Sequence, residues 1–93
     1  EQEPDTRFLI LDLYPVNRID STAVHALSDI HRRLIERGVT LFFSGVKGPV
    51  RDTLARSGLT DSLGDDAFFS RIHDACMEAH RRVNTYLVGE AAP

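Results

Sequence analysis

The hydrophobic pattern begins with Phe8 to Leu13 (FLILDL), which is almost continuously apolar and β-compatible, and Pro15 follows shortly after. Such a run reads as a strand buried on both faces, inside a sheet. Asp20-Ser21-Thr22 then supplies helix-capping side chains, and Val24, Leu27, Ile30 and Leu34 recur at spacings of three and four. That spacing predicts an amphipathic helix over 21–37. Gly38 ends it, since a residue without Cβ takes the left-handed conformation without penalty.

A second strand, Val39 to Ser44 (VTLFFS), follows directly, so strand, helix and strand imply a right-handed crossover with parallel strands. The fold class is α/β, in a βαβα arrangement. Gly45, Gly48 and Pro49 mark a loop into a short helix with Val50 and Leu54 on its apolar side, ended by Gly58. Between Leu59 and Leu63 the stretch is too brief to assign: it is a short third strand or a plain connection. Asp65-Asp66 precede Phe68, Phe69, Ile72, Cys76, Ala79 and Val83, which trace one face of a terminal helix, with Arg71, Asp74, Glu78 and Arg82 opposite. From Asn84 the periodicity fades, and 84–93 is expected to be a flexible tail; 1–7, polar and acidic, reads as a linker or cut end. The expected core unites Leu9, Leu11, Leu27, Ile30, Leu34, Leu41, Phe43, Leu54, Phe69 and Ile72.

Composition narrows the functional classes. At 93 residues the chain is one domain, and 42% hydrophobic with 27% charged residues is the balance of a folded globular unit. Its apolar runs fall far short of the ~20 residues a membrane helix needs. The net charge of −3 is spread along the chain and offers no footprint for nucleic acid. Arg32-Arg33 and Arg81-Arg82 fall near the ends of predicted helices, where cations complement the helix dipole. A single cysteine, Cys76, excludes an internal disulfide and reads as a small core residue.

Little catalytic chemistry is legible. His25/His31 and His73/His80 are six and seven apart, not at the i, i+4 spacing of a helical metal site, so neither metal nor cofactor is expected. Ser21 and Ser44 lie in no nucleophile-elbow pattern, and the chain is read as a non-enzyme. Ser44-Gly45-Val46-Lys47-Gly48-Pro49 leads into a helix N-terminus, where amides hold anions; Ser44, Gly45, Lys47 and Gly48 are therefore candidate anion or nucleotide contacts. The spacing is not that of a P-loop, and a structural turn is the favoured reading. At Asp20, Ser21 and Thr22, hydroxyls in the first turn of a helix either cap it or accept a phosphoryl group as a switch, and capping alone explains each residue type.

The order of these elements resembles the STAS domain, shared by SulP transporters and bacterial anti-sigma factor antagonists. Ile19 to Leu27 (IDSTAVHAL) is similar to the family's helix start, Gly45 to Leu59 (GVKGPVRDTLARSGL) resembles the SulP branch in particular, and Leu63 to Phe69 (LGDDAFF) is similar to the segment that follows there. The resemblance covers residues 8–83. Family domains open with further strands and a helix, whereas seven residues precede Phe8, so the N-terminal part of the domain is expected to be missing or to be completed by something else.

The resemblance implies a non-catalytic cytosolic regulatory and assembly domain of a sulfate-permease-type anion transporter, at the cytosolic face of the membrane. Its expected partners are the transmembrane part of the same transporter, a second copy of itself and a regulatory protein; a nucleotide at the Lys47 loop is compatible with that. The alternative is a free-standing anti-sigma factor antagonist, a partner-switching phosphoprotein in which Ser21 matches the phosphorylated position. Against it, Ala23-Val24-His25 stands where antagonists place Gly soon after the hydroxyl residues.

Overall fold

The computed structural model describes the backbone of residues 7–91 and the side chains of residues 7–83. The expected linker over 1–7 therefore lies outside the described residues except for Arg7, which opens the first strand; of the expected tail, residues 92–93 lie outside as well.

Three layers follow from the alternation of side chains along two parallel strands. β1 (Arg7–Asp12) pairs with β2 (Val39–Ser44) in a register that sets Leu9 beside Leu41 and Leu11 beside Phe43. Because successive residues point to opposite faces, Leu11, Leu41 and Phe43 join one cluster with Val24, Val50, Leu54 and Leu59. Phe8, Ile10 and Phe42 join another on the far face with Ala67, Ala75 and Ala79. α1 (Ser21–Glu36), α2 (Gly48–Ser57) and α3 (Leu59–Leu63) supply the first cluster, and α4 (Ile72–Ala91) supplies the second. The α/β class and the parallel crossover are as the sequence indicated.

Several expectations are corrected. β1 is not buried on both faces: among the described residues the strand order is β1-β2-β3, which puts β1 on an edge and leaves Leu9 37% exposed. The third strand is not at Leu59–Leu63, which is helical; it is Phe68–Phe69, pairing in parallel with Phe43 and Ser44. Those phenylalanines therefore belong to the sheet and not to the terminal helix, which starts at Ile72 after a 3₁₀ turn, Asp65–Ala67.

The terminal helix is also rotated relative to its expected face. α4 buries Ala75 and half-buries Ala79, while Cys76 and Ile72 are exposed. Small alanines let the helix approach the phenylalanine-rich side of the sheet closely, and Arg82 lies over the rings of Phe42 and Phe8, 5.1 and 5.9 Å from their centroids. Arg81 and Arg82 are mid-helix and not at its end; both donate to Glu78, at 2.6 and 2.7 Å. Of the expected core, Leu41, Phe43 and Leu54 are buried, Leu11, Leu27, Leu34 and Phe69 are half-buried, and Leu9, Ile30 and Ile72 are exposed.

Candidate functional site

In open α/β sheets, ligands and partners meet the loops at the carboxyl ends of the strands. Here that end carries both candidate segments, the β2–α2 loop and the start of α1.

The β2–α2 loop is fastened from three sides. Ser44, fully buried, donates its hydroxyl to Asp12 Oδ1 at 3.1 Å, and the Tyr14 amide donates to the same oxygen at 3.3 Å. The Ser44 carbonyl accepts from the Leu13 amide at 2.8 Å, and the Gly45 amide donates to the Phe69 carbonyl at 2.9 Å. Gly45 sits at φ +66°, where a Cβ would come within 2.8 Å of Tyr14 Cβ and 3.0 Å of Asp12 Oδ1. Glycine is thus required here twice over, by dihedral angle and by space. Lys47 donates its ammonium to the Tyr14 carbonyl and lies 4.6 Å from that ring's centroid. Of the four candidate anion contacts, then, Ser44 and Lys47 are engaged by protein groups, Gly45 is packed, and Gly48 is exposed at the first position of α2. For Ser44, Gly45 and Lys47 the arrangement accounts for the residue type as a turn that ties the three strands together, whereas nothing within 4 Å of a would-be Cβ requires glycine at Gly48.

The start of α1 is different. Asp20 Oδ1 accepts from the Ala23 amide at 2.9 Å, satisfying one of the free donors of the first turn. Ser21 and Thr22 are exposed. Ser21 opens onto a groove of about 430 Å³ that it lines with Val24, His25 and Ser28 from α1 and Thr53, Arg56 and Ser57 from α2. An adjoining depression shares Thr53 and Arg56 and adds Arg18, Ile19, Pro49 and Asp52. Ser57 is occupied, donating to the Leu54 carbonyl at 2.7 Å, whereas Ser21 has no bond of its own to displace among the described residues. The two candidate segments therefore face different surroundings: one hydroxyl is locked inside, the other stands at an open, partly cationic groove. The sequence did not reveal Asp12, Tyr14 or Arg56 as members of these sites, because loop-to-loop and helix-to-helix neighbours have no periodic signature.

The fold and the comparisons with known proteins now converge. The STAS domain family matches residues 1–75. The chain belongs to the STAS domain family. Its relatives include the probable sulfate transporter 4.2 of Arabidopsis thaliana, 42% identical over 77 residues, a match covering 83% of this chain and 11% of that protein. Another is the chloroplastic sulfate transporter 4.1 of the same plant, 41% identical over 68 residues and covering 73% and 10%. The chain thus spans about a tenth of the length of these relatives, 11% and 10%. Among solved structures, a sulfate transporter family protein from Wolinella succinogenes superposes with a TM-score of 0.81 at 32% identity, over 84% of this chain and 64% of that one. The SulP transporter STAS domain from Vibrio cholerae gives 0.80 at 21% identity, over 90% and 66%, and supports the fold alone. Among the described residues, no helix of this STAS domain is long and apolar enough to cross a membrane.

Proposed function

We propose that this STAS domain is the non-catalytic cytosolic regulatory and assembly module of a SulP-type anion transporter, acting at the inner face of the membrane while membrane-spanning parts of the same protein carry the anion. The observation that carries the reading is the 42% identity over 77 residues to a probable sulfate transporter. The segment that resembles the SulP branch fits it, since its Gly45 and Lys47, with Ser44 just before them, act as a structural tie and leave the α1–α2 groove as the surface open to partners.

Within that reading Ser21 is the regulatory position. A phosphate there gains from the α1 dipole and from Arg56 across the groove, and is opposed by Asp20. Folding stability then moves little, while the groove gains about two negative charges, so partner binding is what responds.

The test uses the full reading frame that contains this chain. About ten or more apolar segments of ~20 residues ahead of it, together with sulfate uptake that falls when the domain is deleted, is the expected result. A frame without such segments, encoding a protein that binds a kinase-like partner through the Ser21 surface, would overturn it in favour of the free-standing antagonist, which the exposure of Ser21 also suits.

A further inference from the structure

The arginines of this chain divide by their surroundings. On α4, Arg81 and Arg82 both close on Glu78, and on α1 Arg32 closes on Asp29 at 2.6 Å. Arg18 and Arg56 meet no carboxylate among the described residues, and both stand exposed along the depression beside the Ser21 groove. Arg56 has a long hydrogen bond, 3.4 Å, to the Thr53 hydroxyl. Past Ser28 and Ser57 the groove continues into a third depression, which adds His31, Arg32 and Ser62. Across the three, Asp52 is the one acidic residue of the described lining, against Arg18, Arg32 and Arg56. The whole chain has the opposite balance, 14 acidic residues to 11 basic. α1 contributes Ser21, His25, Ser28 and Arg32 at spacings of four, three and four, which is one face of a helix.

We infer that this continuous groove seats an acidic segment of a partner protein, its carboxylates spread along α1 between Arg18 at one end and Arg32 at the other. Charge sets the sign of the ligand: a guanidinium stays charged at every physiological pH and gains a charge-assisted hydrogen bond from a carboxylate. Spacing sets its class. From Ser21 to Arg32 the helix advances about 16 Å, so the cations are strung out instead of converging on one oxyanion. A concave wall of two helices suits a chain segment better than a flat lipid surface. Of the large exposed apolar residues, Ile35 alone borders the described lining, at its far end, so charge and hydroxyl groups hold the segment and not an apolar stripe. Exposed ion pairs are each weak, so binding is modest and falls with salt. The inference rests on the reading of the α1–α2 groove as the partner surface and adds what the partner must carry; it does not depend on the membrane-spanning part.

The experiment titrates the chain with a labelled peptide of alternating glutamate and serine, beside the same peptide with glutamine for glutamate, and follows fluorescence anisotropy and backbone amide shifts. At low salt the acidic peptide should bind about tenfold more tightly than its glutamine counterpart. Arg18→Gln and Arg56→Gln should each weaken it about two- to fivefold, while Arg71→Gln, which removes the same charge from an exposed position outside the three depressions, should leave it unchanged. Should either groove variant fail to fold, the wild-type shifts decide: they should concentrate in residues 21–35 and 53–62. An Arg71→Gln loss as large as that of Arg56→Gln overturns the inference. So does displacement of the peptide by sodium sulfate beyond that by sodium chloride at equal ionic strength, because the site is then one for a small oxyanion, or tighter binding of phosphatidylglycerol vesicles through the same arginines. Equal affinity of both peptides with shifts confined to the groove discards the acidic partner and keeps the groove as a partner surface; shifts outside the groove discard both.

Discussion

β1 and β2 are written in nearly the same alphabet, six residues each with a run of four or five apolar or β-branched positions, yet they live in different surroundings. In β2, Leu41, Phe42, Phe43 and Ser44 are all at or below 3% exposure, because a strand lies on each side and helices cover both faces. In β1 exposed and half-buried residues alternate over most of its length. Strand propensity is a property of the residues, whereas burial is a property of the place in the sheet. Even a serine is fully buried in β2, made tolerable by its bond to Asp12, while a leucine in β1 is not.

The sharpest way to break the comparison is to truncate one residue from each strand. Phe43→Ala removes a fully buried ring that packs against Phe68 at 5.6 Å between centroids and should cost about 3–5 kcal/mol in a denaturant titration. Leu9→Ala, measured in dilute protein, should cost about 1 kcal/mol, since only part of its side chain leaves an apolar environment. Equal losses at the two positions would show that Leu9 in β1 is buried as deeply as Phe43 in β2.

Next in size is Gly45→Ala, which probes the loop where the two strands are tied together. A methyl group at φ +66° is strained and collides with Tyr14 Cβ, so a loss of about 1–3 kcal/mol in thermal or chemical unfolding is expected. Gly38→Ala, at φ +73° with no atom near its would-be Cβ, should lose less than Gly45→Ala; the difference isolates the contact with the β1 side.

The smallest effect is on the α4 surface. Hydrogen bonds from Arg81 and Arg82 hold the Glu78 carboxyl down at about 2, from an ordinary value of 4.5. A depressed carboxylate pKa contributes stability above the unfolded value and loses it as pH falls through the folded one. This contribution should therefore be complete above pH about 4.5 and vanish by about pH 2, and Glu78→Gln should flatten that part of the stability profile. Both guanidiniums are solvent-accessible, so the change is small and shrinks further in high salt. An unchanged acid limb in Glu78→Gln would show that the cluster is not formed in solution.

How far these features were legible depends on the range of the interaction that sets them. The α1 helix with its Asp20 cap, the Gly38 stop, the β2 strand and the Gly58 stop are local choices, governed by hydrogen bonds and dihedral angles within a few residues, and the observed elements match them closely. Their order fixes the parallel crossover, and the motifs along them carry the STAS resemblance that the comparisons share. The two-residue strand Phe68–Phe69 was not legible, because so short a segment becomes a strand only when Phe43 and Ser44 offer it a ladder. The phase of α4 was not legible either: alanine marks a helix face weakly, and Arg82 turns inward only because the rings of Phe8 and Phe42 await it.

For the candidate site the division is the same. That Ser21 stands in the first turn of a helix is a matter of its own neighbours along the chain, and the sequence determined it. That Ser44 is locked to Asp12 across 32 positions, that Lys47 is held by Tyr14, and that Arg56 faces the groove of Ser21 are consequences of strand register and helix packing, which only the tertiary structure decides. Local propensity chooses the elements; which side chains then meet is set by the burial of apolar faces, an interaction that depends on area and not on distance along the chain.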